Sequence, residues 1–292
     1  MTAPVRTVGV FGKYGSRVAG GEIRKLCELL QARKLQVVLE ENTATLVEGP
    51  VAVRRSLEEI GREIDVAIVI GGDGTLLSVA RHLADFEVPL IGVNLGRLGF
   101  LTDIPAENMT AELGPILDGD YQVEERCLLC ADIIRNGETV HTSKAFNDVI
   151  VNKGELARLI EFETYLDGHF VNSMLADGII IATPTGSTAY ALSAGGPLLH
   201  PTLPAIVLVP ICPHTLSDRP IVVSSDSVVE IVMTGTREQR ANVTFDGQLH
   251  HPLRDHDRIS VRRAPKPVRL WRPSGRNHFD VLRAKLQWGG KF

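Results

Sequence analysis

Near-continuous apolar runs alternate with helix-like segments through the first 125 residues of the chain. RTVGVF, LQVVLE, VAIVI and PLIGVN have the composition of strands that are buried on both faces of a sheet. Between the first two, Ile23, Leu26, Cys27 and Leu30 recur at the spacing of one helix face, and VRRSLEEIGRE, residues 53–63, is a second helix candidate. Strands that alternate with helices predict an α/β domain with a parallel sheet.

From about Arg126 the helical period largely disappears, and short β-rich runs replace it. These runs are CLLCADIIR, VIVNK, IEFETYL, IIIAT, AIVLVPI, VVEIVMT, ANVTF, RISVRR and PVRLW. Asn-Gly at 136–137 and Asp-Gly at 167–168 and 246–247 are typical of tight hairpin turns. The pattern predicts a mostly antiparallel, sandwich-like β domain.

These periods divide the chain into three parts. We expect an α/β Rossmann-like N-terminal domain over residues 1–125 and a β-rich domain over residues 126–270. The tail FDVLRAKLQW returns to helical spacing, so residues 271–292 are expected to hold a C-terminal helix that could pack back on the first domain.

Composition and charge narrow the class of partner. The chain has 292 residues, of which 44% are hydrophobic and 23% charged, and its formal net charge is −4. A negative balance argues against nucleic acid as a partner, and the basic stretch 258–276 alternates with apolar residues as a solvated strand face would. No apolar run approaches about 20 residues and no secretory leader precedes the first strand, so we expect a cytoplasmic protein without a membrane partner.

The cysteines do not indicate a metal or redox site. Cys127 and Cys130 have the C-x-x-C spacing, but they lie in an apolar strand-like run. A structural zinc site needs a second pair of ligands, and neither Cys27 nor Cys212 has a neighbouring partner.

The predicted strand Val66–Ile70 runs directly into Gly71, Gly72, Asp73 and Gly74. Ligands of open α/β sheets bind beyond the carboxyl ends of the strands, where a following helix offers unpaired N–H groups to anions. A carboxylate there would repel a phosphate unless it takes a proton from an attacking hydroxyl or binds a cation. GGDG therefore indicates phosphoryl transfer; the alternative is that Asp73 only caps the helix and the glycines form a tight turn.

Two further segments have the composition of a nucleotide site. DGIIIATPTGSTAYALSAGGPLL, residues 177–199, carries a long run of small and hydroxyl residues that offers N–H and O–H donors with few bulky side chains. AFNDVIVNK places Asn147 beside Asp148, and an amide next to a carboxylate suits a ribose or a base edge. Taken alone, the second segment is equally well explained as a turn.

The order of these motifs resembles that of the bacterial NAD kinase family over nearly the whole chain. The resemblance rests on GGDGT, on NLGRLGFLTD (Asn94 to Asp103), on the Asn-acid pair at 147–148 and on DGIIIATPTGSTAYALSAGGP. GGDGT by itself would also fit lipid kinases of the diacylglycerol and sphingosine type and, loosely, phosphofructokinases. The Thr-Gly-Ser-Thr-Ala-Tyr and Leu-Gly-Phe-Leu-Thr runs select NAD kinase.

The resemblance implies transfer of the γ-phosphoryl group of ATP to the 2′-hydroxyl of the adenosine ribose of NAD, giving NADP. It implies Asp73 as the general base, and Mg²⁺ or another divalent metal that arrives with ATP rather than on dedicated protein ligands. It also implies a homo-oligomer, a dimer or a tetramer. The NAD contacts carried over position by position are Asp73, Gly74, Asn147, Asp148, Arg158, Asp177, Thr188, Ala189, Tyr190, Ala191, Leu192, Ser193 and Gln248.

The chain departs from the family pattern at two positions. Many members have Asn-Glu where this chain has Asn147-Asp148, and some have a basic residue where it has Leu175. Two other functions remain open on the sequence. A lipid kinase would need an apolar entrance near GGDGT, and a non-catalytic NAD-binding module would not need Asp73.

Overall fold

The apolar runs of the chain form the strands of three sheets. The computed structural model describes residues 4–13, 15–47, 53–96, 98–154, 159–215, 217–235 and 241–288. The chain divides into two units: residues 1–125 with 268–292, and residues 126–267. None of the helices within these described ranges is both long and apolar enough to cross a membrane.

The elements have the following bounds. The helices are α1 (Arg17–Ala32), α2 (Glu41–Ala44), α3 (Leu57–Glu63), α4 (Asp73–Leu83), α5 (Met109–Leu117), α6 (Tyr190–Ser193) and α7 (His278–Leu286). The strands are β1 (Thr7–Gly12), β2 (Gln36–Glu40), β3 (Val53–Arg55), β4 (Val66–Gly71), β5 (Leu90–Asn94), β6 (Ile104–Pro105), β7 (Tyr121–Arg126), β8 (Leu129–Arg135), β9 (Glu138–Ala145), β10 (Asp148–Lys153), β11 (Ile160–Leu166), β12 (His169–Ala176), β13 (Gly178–Ala182), β14 (Ala205–Ile211), β15 (Ile221–Ser224), β16 (Val229–Met233), β17 (Ala241–Phe245), β18 (Leu249–Leu253), β19 (Arg258–Arg263) and β20 (Val268–Pro273).

The first unit is built on a sheet of order β3-β2-β1-β4-β5-β20-β7, with β6 also beside β5. The pairs from β3 to β5 are parallel, as alternating strands and helices predict. The predicted face of α1, with Ile23, Leu26, Cys27 and Leu30, is completely buried against this sheet. Burying such an aliphatic side chain stabilises the fold by roughly 1.5–3 kcal/mol. The N-terminal domain is therefore the expected α/β fold.

The prediction of one helix over residues 53–63 is wrong in its first part. Val53–Arg55 form β3, which pairs in parallel with β2, and the helix begins only at Leu57. Ser56 is the N-cap: its hydroxyl accepts the backbone N–H of Glu59, and the Glu59 carboxylate accepts the Ser56 N–H in return. This capping box satisfies helix N–H groups that lack partners within the helix, and so it fixes where the helix starts.

The expected boundary at residue 270 also differs from the structure. The run PVRLW was placed in the β-rich domain, but β20 lies in the parallel sheet of the first unit, with Leu270 opposite Leu90 of β5. Helix α7 belongs to the same unit, where the Lys285 ammonium lies 5.7 Å from the centre of the Phe100 ring. The last two elements of the chain therefore belong to the unit in which the chain begins.

The second unit is a β-sandwich. Within the described residues it contains two antiparallel six-stranded sheets, of order β15-β14-β13-β10-β17-β18 and β12-β11-β16-β19-β8-β9. Their inner faces share one core, in which Val149, Ile181 and Phe245 of one sheet meet Phe162 and Ile259 of the other. The three predicted hairpin turns are confirmed, since both residues of each dipeptide have positive φ angles.

Candidate active site

The GGDG segment lies at the carboxyl end of β4, in the middle of the parallel sheet. Gly72, which has an extended backbone, is the N-cap of α4. Because glycine has no side chain, no side-chain hydrogen bond caps this helix. Asp73 is the first helical residue, and Gly74 is exposed. The alternative that Asp73 serves as the helix cap is therefore wrong. The uncapped end of α4 is a position where backbone N–H groups and the helix dipole favour an anion.

The Asp73 carboxylate is hydrogen-bonded to the loop that follows β5. Its Oδ1 accepts the N–H of Leu101 at 3.0 Å, and the N–H and hydroxyl of Thr102 at 3.1 and 3.0 Å. Its Oδ2 accepts the N–H of Phe100 at 2.8 Å. A carboxylate has about four acceptor positions, two on each oxygen. Oδ2 therefore has room to accept a further hydrogen bond from a substrate hydroxyl.

The loop after β5 approaches Asp73 closely because it carries a glycine. A Cβ atom at Gly99 would lie 2.1 Å from Asp73 Oδ1 and 2.3 Å from the Thr102 hydroxyl oxygen, which is impossible without a shift. Asn94 shapes the same loop, since its amide donates to the Thr102 carbonyl at 3.2 Å and its Oδ1 accepts the Gly96 N–H at 2.7 Å. GGDG and NLGRLGFLTD thus form one structural site.

A buried arginine, Arg272 of β20, also binds the loop that follows β5. Arg272 is 8% exposed, and its guanidinium pairs with Asp103 at 3.0 Å and with Glu124 at 2.6 Å. It also donates to the Phe100 carbonyl at 3.3 Å. The expectation of a solvated strand face over 258–276 is therefore wrong for Arg272, because β20 lies inside a sheet. Sequence analysis missed this residue, whose partners lie far away along the chain.

In the second unit, the pair Asn147-Asp148 lies where β10 begins. Asp148 is only 3% exposed. Burial, and then the nearby Asp246 carboxylate, raise the pKa of Asp148 to about 7. A carboxyl group near half protonation at neutral pH can both donate and accept a hydrogen bond, which suits it to a ribose hydroxyl.

The TPTGSTAY turn packs directly against this pair. The Thr183 N–H donates to the Asn147 carbonyl at 2.9 Å, and the Thr183 hydroxyl donates to the Phe146 carbonyl at 2.7 Å. A Cβ atom at Gly186 would lie 2.1 Å from the Asn147 carbonyl oxygen. The structure therefore brings together two motifs that are 36 positions apart, as counted from Asn147 to Thr183.

The run from Thr188 to Ser193 continues from this turn into α6. Ala191 is buried on the outer face of the β13 sheet, and Tyr190 is 46% exposed. Thr188, Ala189 and Leu192 are half-buried, and Ser193 is exposed. The run therefore offers a short surface of small side chains beside one aromatic ring.

Asp177 directly precedes β13 and Gln248 directly precedes β18, two strands of one sheet that β10 and β17 separate. Asp177 pairs with Lys153 at 2.6 Å. Lys153 and Gln248 line a common polar groove of about 390 Å³, together with Asn152, Asn242, Thr244 and neighbouring residues. Lys153 was not predicted from the sequence, although it closes the motif AFNDVIVNK. Arg158 lies outside the described residues.

A helix N-terminus without a side-chain cap, beside an accepting carboxylate at the end of a parallel strand, is an arrangement that suits a phosphotransferase. Residues 8–121 match the family described as the ATP-NAD kinase N-terminal domain, and residues 146–272 match the ATP-NAD kinase C-terminal domain. The chain belongs to the ATP-NAD kinase family, and it phosphorylates NAD to NADP. The alternatives of a lipid kinase and of a non-catalytic binding module are therefore wrong.

Individual relatives agree with the family match. The chain is 49% identical over 291 residues to NAD kinase of Thiobacillus denitrificans, with both chains covered completely. It is 46% identical over 286 residues to NAD kinase of Pseudomonas fluorescens, covering 98% of this chain and 97% of that one.

Two solved structures are also similar. An NAD kinase from Archaeoglobus fulgidus in complex with ATP has a TM-score of 0.75 and 28% identity, covering 95% of this chain and 99% of that one. Yeast NADH kinase complexed with NADH has a TM-score of 0.89, covering 99% of this chain and 90% of that one. At 23% identity, that second likeness concerns the fold alone.

Proposed function

We propose that Asp73 is the general base in the transfer of the γ-phosphoryl group of ATP to the 2′-hydroxyl of the adenosine ribose of NAD. The bond from the ribose oxygen to phosphorus forms, the bond from phosphorus to the bridging oxygen of ADP breaks, and the hydroxyl proton moves to Asp73. The observation that carries this role is the hydrogen bonding of Asp73, in which Oδ2 accepts one loop N–H and keeps an acceptor position.

The uncapped N-terminus of α4 is proposed to face phosphate. Its N-cap Gly72 has nothing within 4 Å of the position of a Cβ atom, so the turn is open on that side. Gly74 is exposed in the first turn of the same helix. Both features allow a phosphoryl group to approach the backbone closely, and the helix dipole stabilises its charge.

NAD is proposed to contact Asn147, Asp148 and the run from Thr188 to Ser193. Support comes from the packing of the TPTGSTAY turn on Asn147, which holds a polar pair next to small side chains. Asp177, Gln248 and Arg158 are proposed as further contacts. The Asp177–Lys153 ion pair and the groove lined by Gln248 support the first two of these.

We propose that Mg²⁺ or another divalent metal arrives bound to ATP. Within the ranges described, no group of three or more His, Cys, Asp and Glu side chains could hold a metal ion. The metal would neutralise phosphate charge, and the Asp73 carboxylate is the side chain of the GGDG turn that could contact it. Dialysis against a chelator should therefore stop turnover and leave the circular dichroism spectrum unchanged, and added Mg²⁺ should restore turnover. Unfolding on metal removal would contradict this proposal.

A cytoplasmic location and a homo-oligomeric state, as a dimer or a tetramer, are proposed from family membership. Cell fractionation tests the first and sedimentation of the purified chain tests the second.

The proposed reaction is tested with ATP whose γ-phosphate is labelled with oxygen-18, which shifts its phosphorus resonance. Purified protein is incubated with NAD, labelled ATP and Mg²⁺, and the product is examined by phosphorus NMR. The label is expected in a phosphate on the 2′-oxygen of the adenosine ribose. Label at any other position, or only in free phosphate, would contradict the proposed transfer.

A further inference from the structure

Asp246 makes three hydrogen bonds to the Asn147-Asp148 pair and one to Phe146, the residue before it. Its carboxylate accepts the backbone N–H groups of Phe146 at 3.0 Å, Asn147 at 2.7 Å and Asp148 at 3.2 Å. Its own N–H donates to the Asp148 carbonyl at 3.0 Å. Three successive N–H groups that converge on one carboxylate form a concave anion site in the backbone, and here a side chain of the same protein fills it.

We propose that Asp246 is a positioning residue that orients the Asn147-Asp148 pair for NAD. This inference rests on the proposed function, since it requires that the pair contacts NAD. The Asp246 carboxylate accepts the backbone N–H groups of the pair, and the Thr183 N–H donates to the Asn147 carbonyl, against which Gly186 packs. The backbone of Asn147 is therefore held at both its N–H and its carbonyl group.

A turn requirement does not explain an aspartate at this position. The residue has a φ of 52° and Gly247 has a φ of 63°, a conformation for which Asn-Gly is at least as favourable as Asp-Gly. A second carboxylate close to the buried Asp148 is also electrostatically unfavourable, as the raised pKa of Asp148 indicates. The carboxylate is explained by the three N–H groups that it accepts, because an asparagine side chain has only one acceptor oxygen.

The chain contains a matched control for this inference. Asp167 begins an equivalent Asp-Gly hairpin turn, with φ of 50° and a following glycine at 78°. Its carboxylate also accepts a backbone N–H, that of Val228 at 2.8 Å. Asp167 belongs to the hairpin of β11 and β12, and it hydrogen-bonds to Val228 and His169, neither of which is a proposed NAD contact. The substitution Asp167→Asn therefore makes the same chemical change in a turn that has no part in the proposed site.

The test compares Asp246→Asn with Asp167→Asn in steady-state kinetics and thermal unfolding. Asp246→Asn is expected to raise the KM for NAD about tenfold, the effect of losing one hydrogen bond to a charged acceptor. The KM for ATP and the kcat at saturating NAD should stay within about threefold, since the pair is repositioned and the chemistry is untouched. Asp167→Asn should leave all three constants unchanged even where it lowers the melting temperature.

Two further variants make each outcome decisive. If Asp246→Asn is too unstable to assay, Asp246→Ser, which has no charge and one hydroxyl acceptor, is expected to raise the KM for NAD in the same way. In an Asn147→Ala background, Asp246→Asn should add less than about threefold, because both changes act through the same pair. A wild-type KM for NAD in Asp246→Asn overturns the inference, as does an equal rise in Asp167→Asn. If Asn147→Ala itself leaves the KM for NAD unchanged, the proposed NAD contact fails instead.

Discussion

The carboxyl groups of Asp73 and Asp148, one in each unit of the chain, have different chemical environments. Asp73 is half-buried, and it accepts three backbone N–H groups and one hydroxyl from the loop at 100–102. Asp148 is buried beside a second carboxylate, and its pKa is raised to about 7. Donors around a carboxylate favour its role as an acceptor, whereas burial near another negative charge favours the neutral acid.

This difference assigns different tasks to the two residues. A general base must receive a proton during the reaction, so it needs an oxygen with an open acceptor position, as Asp73 Oδ2 has. A group that only holds a ribose benefits from being able to donate as well as accept, as a carboxyl group with a pKa near neutrality can. Two carboxyl groups whose environments differ in this way are a recurrent feature of enzymes that move protons.

The largest effect is expected for Asp73→Asn. Asparagine keeps the shape of the side chain and cannot take the proton, so kcat should fall by about two to four decades, as the loss of a general base does. Affinity for NAD should stay within roughly tenfold. Single-turnover kinetics and equilibrium binding of NAD to the folded variant check both values.

The variant Thr102→Val distinguishes a structural role of Asp73 from its proposed catalytic role. That change removes the hydroxyl that donates to Asp73 Oδ1 at 3.0 Å and keeps the base. It should lower stability by about 1 kcal/mol and kcat by less than about tenfold. Near-normal turnover in a folded Asp73→Asn variant would remove Asp73 from the mechanism, and equal losses in both variants would assign it to loop support alone.

The second prediction concerns the stability of Asp148→Asn as a function of pH. The native Asp148 carboxyl keeps its proton up to about pH 7, whereas the unfolded chain releases it near pH 4, at the ordinary value of about 3.9. The raised native pKa thus contributes stability that is fully present below about pH 4 and is lost as the pH rises through about 7. Asparagine has no such dependence, so the variant should gain stability relative to wild type over this interval.

The size of this gain is on the order of a few kcal/mol, from 1.36 kcal/mol for each pKa unit. Urea unfolding of both proteins at pH 4, 5.5 and 7.5 measures it, and the difference between the two proteins removes the titration of all groups that they share. A difference that stays constant across these pH values would show that Asp148 does not titrate in this range.

The location of the GGDG turn could be predicted from the sequence, but its partners could not. Five apolar residues before the glycines and a helical period after them are local signals, and both elements have the predicted types. The bonds of Asp73 reach across 27 to 29 positions, and those that the Asp246 carboxylate accepts from residues 146–148 reach across 98 to 100. Contacts between residues so far apart along the chain depend on how the sheets assemble, and a single sequence does not show that assembly.

The two errors in the fold have different origins. The start of α3 could have been found, since Ser56 followed by Glu59 is a capping-box signal before an apolar residue. The location of β20 could not, because PVRLW has the composition of a strand in either unit. Only its pairing with β5 decides where it belongs, and the buried position of Arg272 follows from that pairing.

The smallest effect is expected at Ala189, which joins the TPTG turn to α6. The residue is half-buried, and the family resemblance assigns it to the surface that contacts NAD. In Ala189→Leu the larger side chain should occupy space that NAD requires and raise its KM about tenfold, or about 1.4 kcal/mol. The kcat at saturating NAD should change little, because Asp73 lies in the other unit and keeps its hydrogen bonds.

Ala194→Leu, in a half-buried alanine just after α6, is the control for a general loss of packing. Wild-type NAD affinity in a folded Ala189→Leu variant would show that Ala189 does not line the NAD site.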